Sequence, residues 1–143
     1  MFLINPVKET DFFQDGLPCD SAVESPITPN RIDAFNGMLM NNMILLNRKY
    51  DRREVLQQQK SKFYSLKDPK GYLMNRTLSI LRRNDFFGFE YNHLSGRMLK
   101  STLEKLWEED YDWLHQTCQH KFRTDKDVNQ YIVLNDQYVT GKF

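Results

Sequence analysis

The stretch "TPNRIDAFNGMLMNNMILLNRKYDRREVLQQQKSKFYSL", Thr28 to Leu66, decides the fold class. Ile32, Phe35, Leu39, Met43, Leu46 and Tyr50 recur in steps of three and four, the period of a helix with one buried stripe. Thr28 and Asn30 are suitable N-caps. Run without a break from Asn30 to Leu66, the helix would be about 55 Å long at 1.5 Å per residue. That exceeds the width of a domain of 143 residues. The expectation is one long helix or two in near line, bending at Gly37 or in the polar run "NRKYDRRE".

Downstream, "KDPKGYLMNRTLSILRRND" restarts a helix, with Asp68 as N-cap and Pro69 in the first turn, where its missing N–H costs nothing. Leu73, Thr77, Ile80 and Leu81 form its apolar stripe and are expected to face the core. "SGRMLKSTLEKLWEEDYDWLHQTCQHKF" reads as a third helix, with Met98 or Leu99, Leu103, Leu106, Trp113 and Leu114 inward. Between these two lies "RRNDFFGFEYNHLSGRM", Arg82 to Met98. Strand alternation there would put Phe87, Phe89 and Tyr91 on one face and Phe86, Gly88 and Glu90 on the other. The C-terminal "QYIVLNDQYVTGKF" has β-favouring residues on both sides of Asn135-Asp136, a hairpin signal.

Upstream of the long helix, Pro6, Gly16, Pro18, Pro26 and Pro29 interrupt every apolar period. The expected organisation is therefore mainly α. Residues 1–29 form an extended arm. Residues 30–126 form a bundle of about three helices, one long, with an aromatic hairpin inserted near 85–96. Residues 127–143 form a C-terminal strand or hairpin.

Hydrophobic residues at 40% and charged residues at 27% are the balance of a folded chain rather than a disordered one. No apolar run reaches the roughly 18 residues that span a bilayer, so no membrane partner is expected. "MFLINPVKETDFF" has no basic region ahead of its apolar residues, unlike a secretion signal, which points to cytoplasmic synthesis. Cys19 and Cys118 cannot make a disulfide framework, in keeping with a reducing compartment.

The net charge of +1 hides a basic middle, +8 over residues 48–105, between acidic flanks. Such a middle suits nucleic acid or another copy of the same chain. Arg48, Lys49, Arg52, Arg53, Lys60 and Lys62 would supply the nucleic-acid contact, through counterion release. Stacking of bases on "FFGFEY" is the alternative use of the aromatic segment. The RNA-recognition signature is matched only at Phe87, Gly88 and Phe89, in helical surroundings, so aromatic packing is the expected role.

Two clusters carry metal-type side chains. His115, Cys118 and His120 suit zinc, with Cys19 or His93 as a fourth ligand, but the first two share a helix face and His120 does not. Glu108, Glu109, Asp110 and Asp112 read as a solvated acidic face. Cys118 has no oxyanion loop beside it, and no Walker loop, GxSxG, HExxH or CxxC motif is present. These patterns lead to the expectation of no catalytic, cofactor or metal site. The leading expectation is a non-enzymatic structural or adaptor subunit, of the kind that forms a phage head-to-tail connector in a virion. It would assemble as a homo-oligomer or ring with other protein subunits. Its partner contacts would be Phe2, Leu3, Ile4, Phe12 and Phe13 in the arm, Phe87, Phe89 and Tyr91 in the hairpin, and Tyr131, Val133 and Tyr138 at the C-terminus. The alternative expectation is a small helical nucleic-acid-binding protein.

Overall fold

The computed structural model describes Glu24 and residues 34–81, 84–90 and 98–142. These residues are mainly helical: α1 (Ala34–Lys49), α2 (Arg52–Gln58), α3 (Lys60–Phe63), α4 (Pro69–Ile80), α5 (Lys100–Glu109), α6 (Tyr111–Gln119) and α7 (Tyr131–Thr140). The arm anchors Phe2, Leu3, Ile4, Phe12 and Phe13, the caps Thr28 and Asn30, and Tyr91, His93 and Cys19 lie outside the described residues.

The long helix divides at Tyr50 and Asp51, inside its polar run. Asp51 leaves the helical region (φ −81°, ψ 123°) and its side chain accepts from the backbone N–H of Arg53 and Glu54. It is therefore an N-cap, and a cap starts a second helix rather than extending the first. Asp68 caps α4 as its sequence suggests, accepting from Gly71 N at 2.9 Å. The third helix divides as well, at Asp110 (φ −121°, ψ 32°). There the Asp110 carboxylate turns to Lys49 Nζ, 2.6 Å away.

The C-terminal strand or hairpin is corrected to a helix, α7. Its β-branched residues carry only a weak preference for extended backbone, and burial decides the outcome. Ile132 to Gln137 and Val139 are all buried, as in a helix with neighbours on every side. The supposed turn residue Asp136 lies in the interior, accepting from Tyr50 Oη at 2.7 Å and from Lys105 Nζ at 3.1 Å. Burial, and then the bond to Asp136, push the Tyr50 phenol well above its usual range. Gly141, in the left-handed region at φ 71°, ends the helix.

Two apolar clusters flank the α1–α7 pair. One joins Met43, Leu46, Val55, Leu56, Phe63, Phe86, Phe89 and Val139. The other joins Leu45, Leu106, Val128, Ile132 and Val133, with Met98, Leu103, Trp113 and Leu114 packed on it.

The aromatic segment does not alternate as a strand would. Phe86 and Phe89 are both buried, with ring centroids 5.4 Å apart, and Phe89 also meets Phe63 and Tyr138. Gly88 at φ 135° redirects the chain between them, so positions three apart share a face. Phe89 makes a strand-like contact, an antiparallel bridge to Glu24.

The stripe expected to bury α4 is inverted. Leu73, Thr77, Ile80 and Leu81 are exposed, whereas Gly71, Asn75 and Leu78 are buried.

Candidate functional site

The basic residues of the middle segment are largely engaged by the fold. Arg52 is buried, and its guanidinium grips the Glu24 carboxylate through Nε at 2.9 Å and Nη2 at 2.7 Å. Glu24 N in turn donates to Asn75 Oδ1 at 2.9 Å, and Asn75 Nδ2 donates to Phe63 O at 2.6 Å. Burial pushes the Glu24 carboxyl above its usual range, and Arg52 pulls against that. Lys49 bonds Asp110 at 2.6 Å and Glu109 at 3.2 Å. Burial would lower its ammonium, but these carboxylates hold it above the usual lysine range. Arg48 lies over the Trp113 ring at 5.7 Å. Arg53 and Lys60 are exposed and Lys62 is half-buried. The six do not form one free cationic face.

The residues expected to meet a partner are placed unevenly. Phe89 and Val133 belong to the two cores, Phe87 and Tyr138 are half-buried, and Tyr131 meets the Phe35 ring edge-on at 6.4 Å. The potential zinc ligands stay apart. His115 stacks on Tyr111, His120 pairs with Asp127, and Cys118 is an exposed free thiol. Among the described residues no group of three or more His, Cys, Asp or Glu side chains could hold a metal.

The best-organised polar site is the loop from His120 to Gln130, between α6 and α7. α1 builds it from a distance. Gly37 brings the α1 backbone so near the loop that a Cβ there would stand 3.0 Å from Asp125 Cα. One turn on, Asn41 Nδ2 donates to the carbonyls of Asp125 at 2.9 Å and Asp127 at 2.8 Å. Asn42 and Asn129 then clasp each other. Asn42 Nδ2 donates to Asn129 Oδ1 at 2.6 Å, and Asn129 N donates back to Asn42 Oδ1 at 3.2 Å. Three asparagine side chains thus satisfy a loop that has no regular ladder of its own.

Within the loop, the buried Asp127 accepts from Thr124 N at 2.8 Å and meets His120 Nδ1 at 2.5 Å. Burial alone would raise this carboxyl, but the hydrogen bonds from His120 and Thr124 outweigh it and hold it below the usual range. An ionised carboxylate can only accept, so Nδ1 carries the proton and Nε2 is left to give or take one.

The other side of the loop borders a cleft of about 450 Å³ between α1, α5, α6 and α7. Its walls are apolar, with Phe35, Met38, Trp107 and Leu114 among them, and Arg123 is its cation. Asn129 also lines it. Because Asn129 Oδ1 is already held by Asn42 Nδ2 and by Tyr131 N at 3.1 Å, the amide orientation is fixed. Asn129 Nδ2 is buried and has no hydrogen-bond partner among the described residues. A guanidinium at the cleft and a carboxylate-held imidazole on the other side of the same loop suit an anionic oxygen ligand and a proton transfer. Arg123, Asp127 and Asn129 were missed in the sequence. The signal there was "HKFRTDKDVNQ", which combines a His, an Arg and an Asp in a stretch of neither helical nor strand period.

Comparison with known proteins gives a consistent result. The chain is 35% identical over 146 residues to a capsular polysaccharide phosphotransferase, WcwK, of Streptococcus pneumoniae. It is equally similar, at 35% over 146 residues, to a receptor polysaccharide phosphotransferase, WefC, of Streptococcus oralis. An exopolysaccharide phosphotransferase, cps2G, of Lactiplantibacillus plantarum is 31% identical over 144 residues. Each match takes in 100% of this chain but only 42% of the relative's own length. No family model and no solved structure matches. Among the described residues, no helix is long and apolar enough to cross a membrane. Relatives that are bacterial enzymes of polysaccharide phosphotransfer overturn the expectations of a non-enzymatic connector subunit, of a nucleic-acid-binding protein and of a place in a virion.

Proposed function

We propose that this chain contributes to a polysaccharide phosphotransferase, and that the loop from His120 to Gln130 handles the phosphate. The observation that carries the reading is similarity along the whole chain to several proteins named for that activity. The loop chemistry supports it. In phosphoryl transfer the protein's work is chiefly positioning and stabilising charge on the phosphate oxygens. Arg123, the cation of the cleft, supplies donors of that kind. The attacking sugar hydroxyl forms the new O–P bond as the bond from phosphorus to the leaving oxygen breaks, and its proton passes to His120 Nε2. Asp127 keeps the imidazole in the tautomer this requires.

A graft tests the reading. Placed in full-length WefC of Streptococcus oralis in exchange for the segment it matches, this chain should support incorporation of labelled phosphate into polysaccharide. His120→Gln should slow that incorporation by about 10²–10⁴-fold, the range of a lost general acid–base group. Arg123→Ala should also reduce it severely while leaving the melting temperature in place. A folded graft without activity overturns the phosphotransferase reading. An active graft indifferent to both substitutions overturns the assignment of the loop.

A further inference from the structure

α4 is built inside out. Its buried row, Gly71, Asn75 and Leu78, contains a glycine and an asparagine. The opposite row is apolar and meets water: Leu73 is 66% exposed and Ile80 75%, with Leu66 at 82% and Leu81 at 58% beyond its ends. The helix cannot turn to hide that row. Asn75 is held between Glu24 N and Phe63 O, at 2.9 and 2.6 Å. Ser79 Oγ lies 2.6 Å from Tyr64 Oη. Rotating α4 would leave these buried polar groups without partners. An apolar row fixed outward in this way marks a surface that something else covers.

We propose that the outer face of α4 seats the part of the phosphotransferase that the relatives carry beyond the segment matched here. The inference rests on the phosphotransferase reading, and the relatives supply the occupant. The match covers 42% of each, so more than half of their length remains to pack against it. The exposed Arg76 lies on the same helix, so the seated surface is apolar at its centre and carries an acidic group at its rim.

Thiol labelling tests this in the chain and in the WefC graft, each carrying Cys19→Ser and Cys118→Ser. Leu73→Cys and Ile80→Cys should react quickly with a maleimide in the chain alone and at least about tenfold more slowly in the graft, as expected of a face opened only by local separation. Gln57→Cys, exposed on α2, should react equally in both. Equal reaction of Leu73→Cys and Ile80→Cys in both settings overturns the proposal. Concentration-dependent protection in the chain alone, accompanied by dimers in sedimentation, overturns it in favour of a second copy. Labelling does not depend on catalysis. A protected but inactive graft would count against phosphotransfer and for docking, and an active, unprotected graft would do the reverse.

Discussion

α7 and α4 are of similar length, 10 and 12 residues, and each carries apolar residues at helical spacing. α7 packs against α1 and α5 and buries nearly all it has. Even Asn135, Asp136 and Gln137 are fully enclosed, with Gln137 Oε1 accepting from Leu99 N at 2.8 Å. α4 buries three residues and leaves its apolar row in water. In both, the rotation of the helix is fixed by polar groups with defined partners rather than by its greasiest face. The difference lies in the neighbours. α7 has them on every side, and within the described residues α4 has them on one.

The largest effect is expected at the Glu24–Arg52 pair, which borders the inner face of α4. Arg52→Ala leaves a buried carboxylate without its counter-charge and should cost about 3–5 kcal/mol in denaturant unfolding. Glu24→Leu combined with Arg52→Met should recover most of that loss. A cost below about 1 kcal/mol for the single change would mean that the polar face is not what orients α4. On the α7 side, Ile132→Ala removes a side chain that is 2% exposed and should cost about 2–5 kcal/mol.

Asp127→Ala, in the loop leading into α7, should cost about 1.5–3 kcal/mol near neutral pH through loss of the charge-assisted bond to His120. The sign of its pH dependence follows from a carboxyl held below its ordinary value of about 3.9. Its stabilisation is present above that value and is lost as the pH falls through the depressed one. Acid titration of the unfolding free energy should therefore flatten in Asp127→Asn. The smallest effect belongs to the outer face of α4. Leu73→Ser should shift the stability of the chain alone by no more than about 0.5 kcal/mol. A loss several times larger would show that the row is already covered within this chain.

Much of the helical framework was legible. Asp68-Pro69 announces the start of α4, and the break before α2 has its own signature in "DRRE", an acceptor followed three residues later by Glu54. The stripe on α4 was read correctly as a row and wrongly as a core, because periodicity gives the face and not the side on which neighbours lie. α7 was lost to β propensity. Its helical state depends on α1 and α5, which no local window contains. The candidate site was the least legible part. Its loop has no period, and its order comes from Gly37, whose missing side chain lets the loop approach, and from Asn41 and Asn42, which in a sequence look like solvated positions.

Those asparagines carry a consequence for how the chain folds. The bonds from Asn41 and Asn42 to the loop span 84 to 87 residues. Contacts of such separation require a long loop to close first, and they are the slow, late events of folding. On a ribosome, α1 would emerge well before the segment it organises. The helices can therefore form while the loop still lacks its geometry, and a partly folded chain would have a native-like helical spectrum but an unordered loop. Recovery of helicity on refolding should precede recovery of His120–Asp127 pairing, and a permutation that joins the ends and opens the chain between α4 and α5 would bring the two halves of the site closer together in sequence.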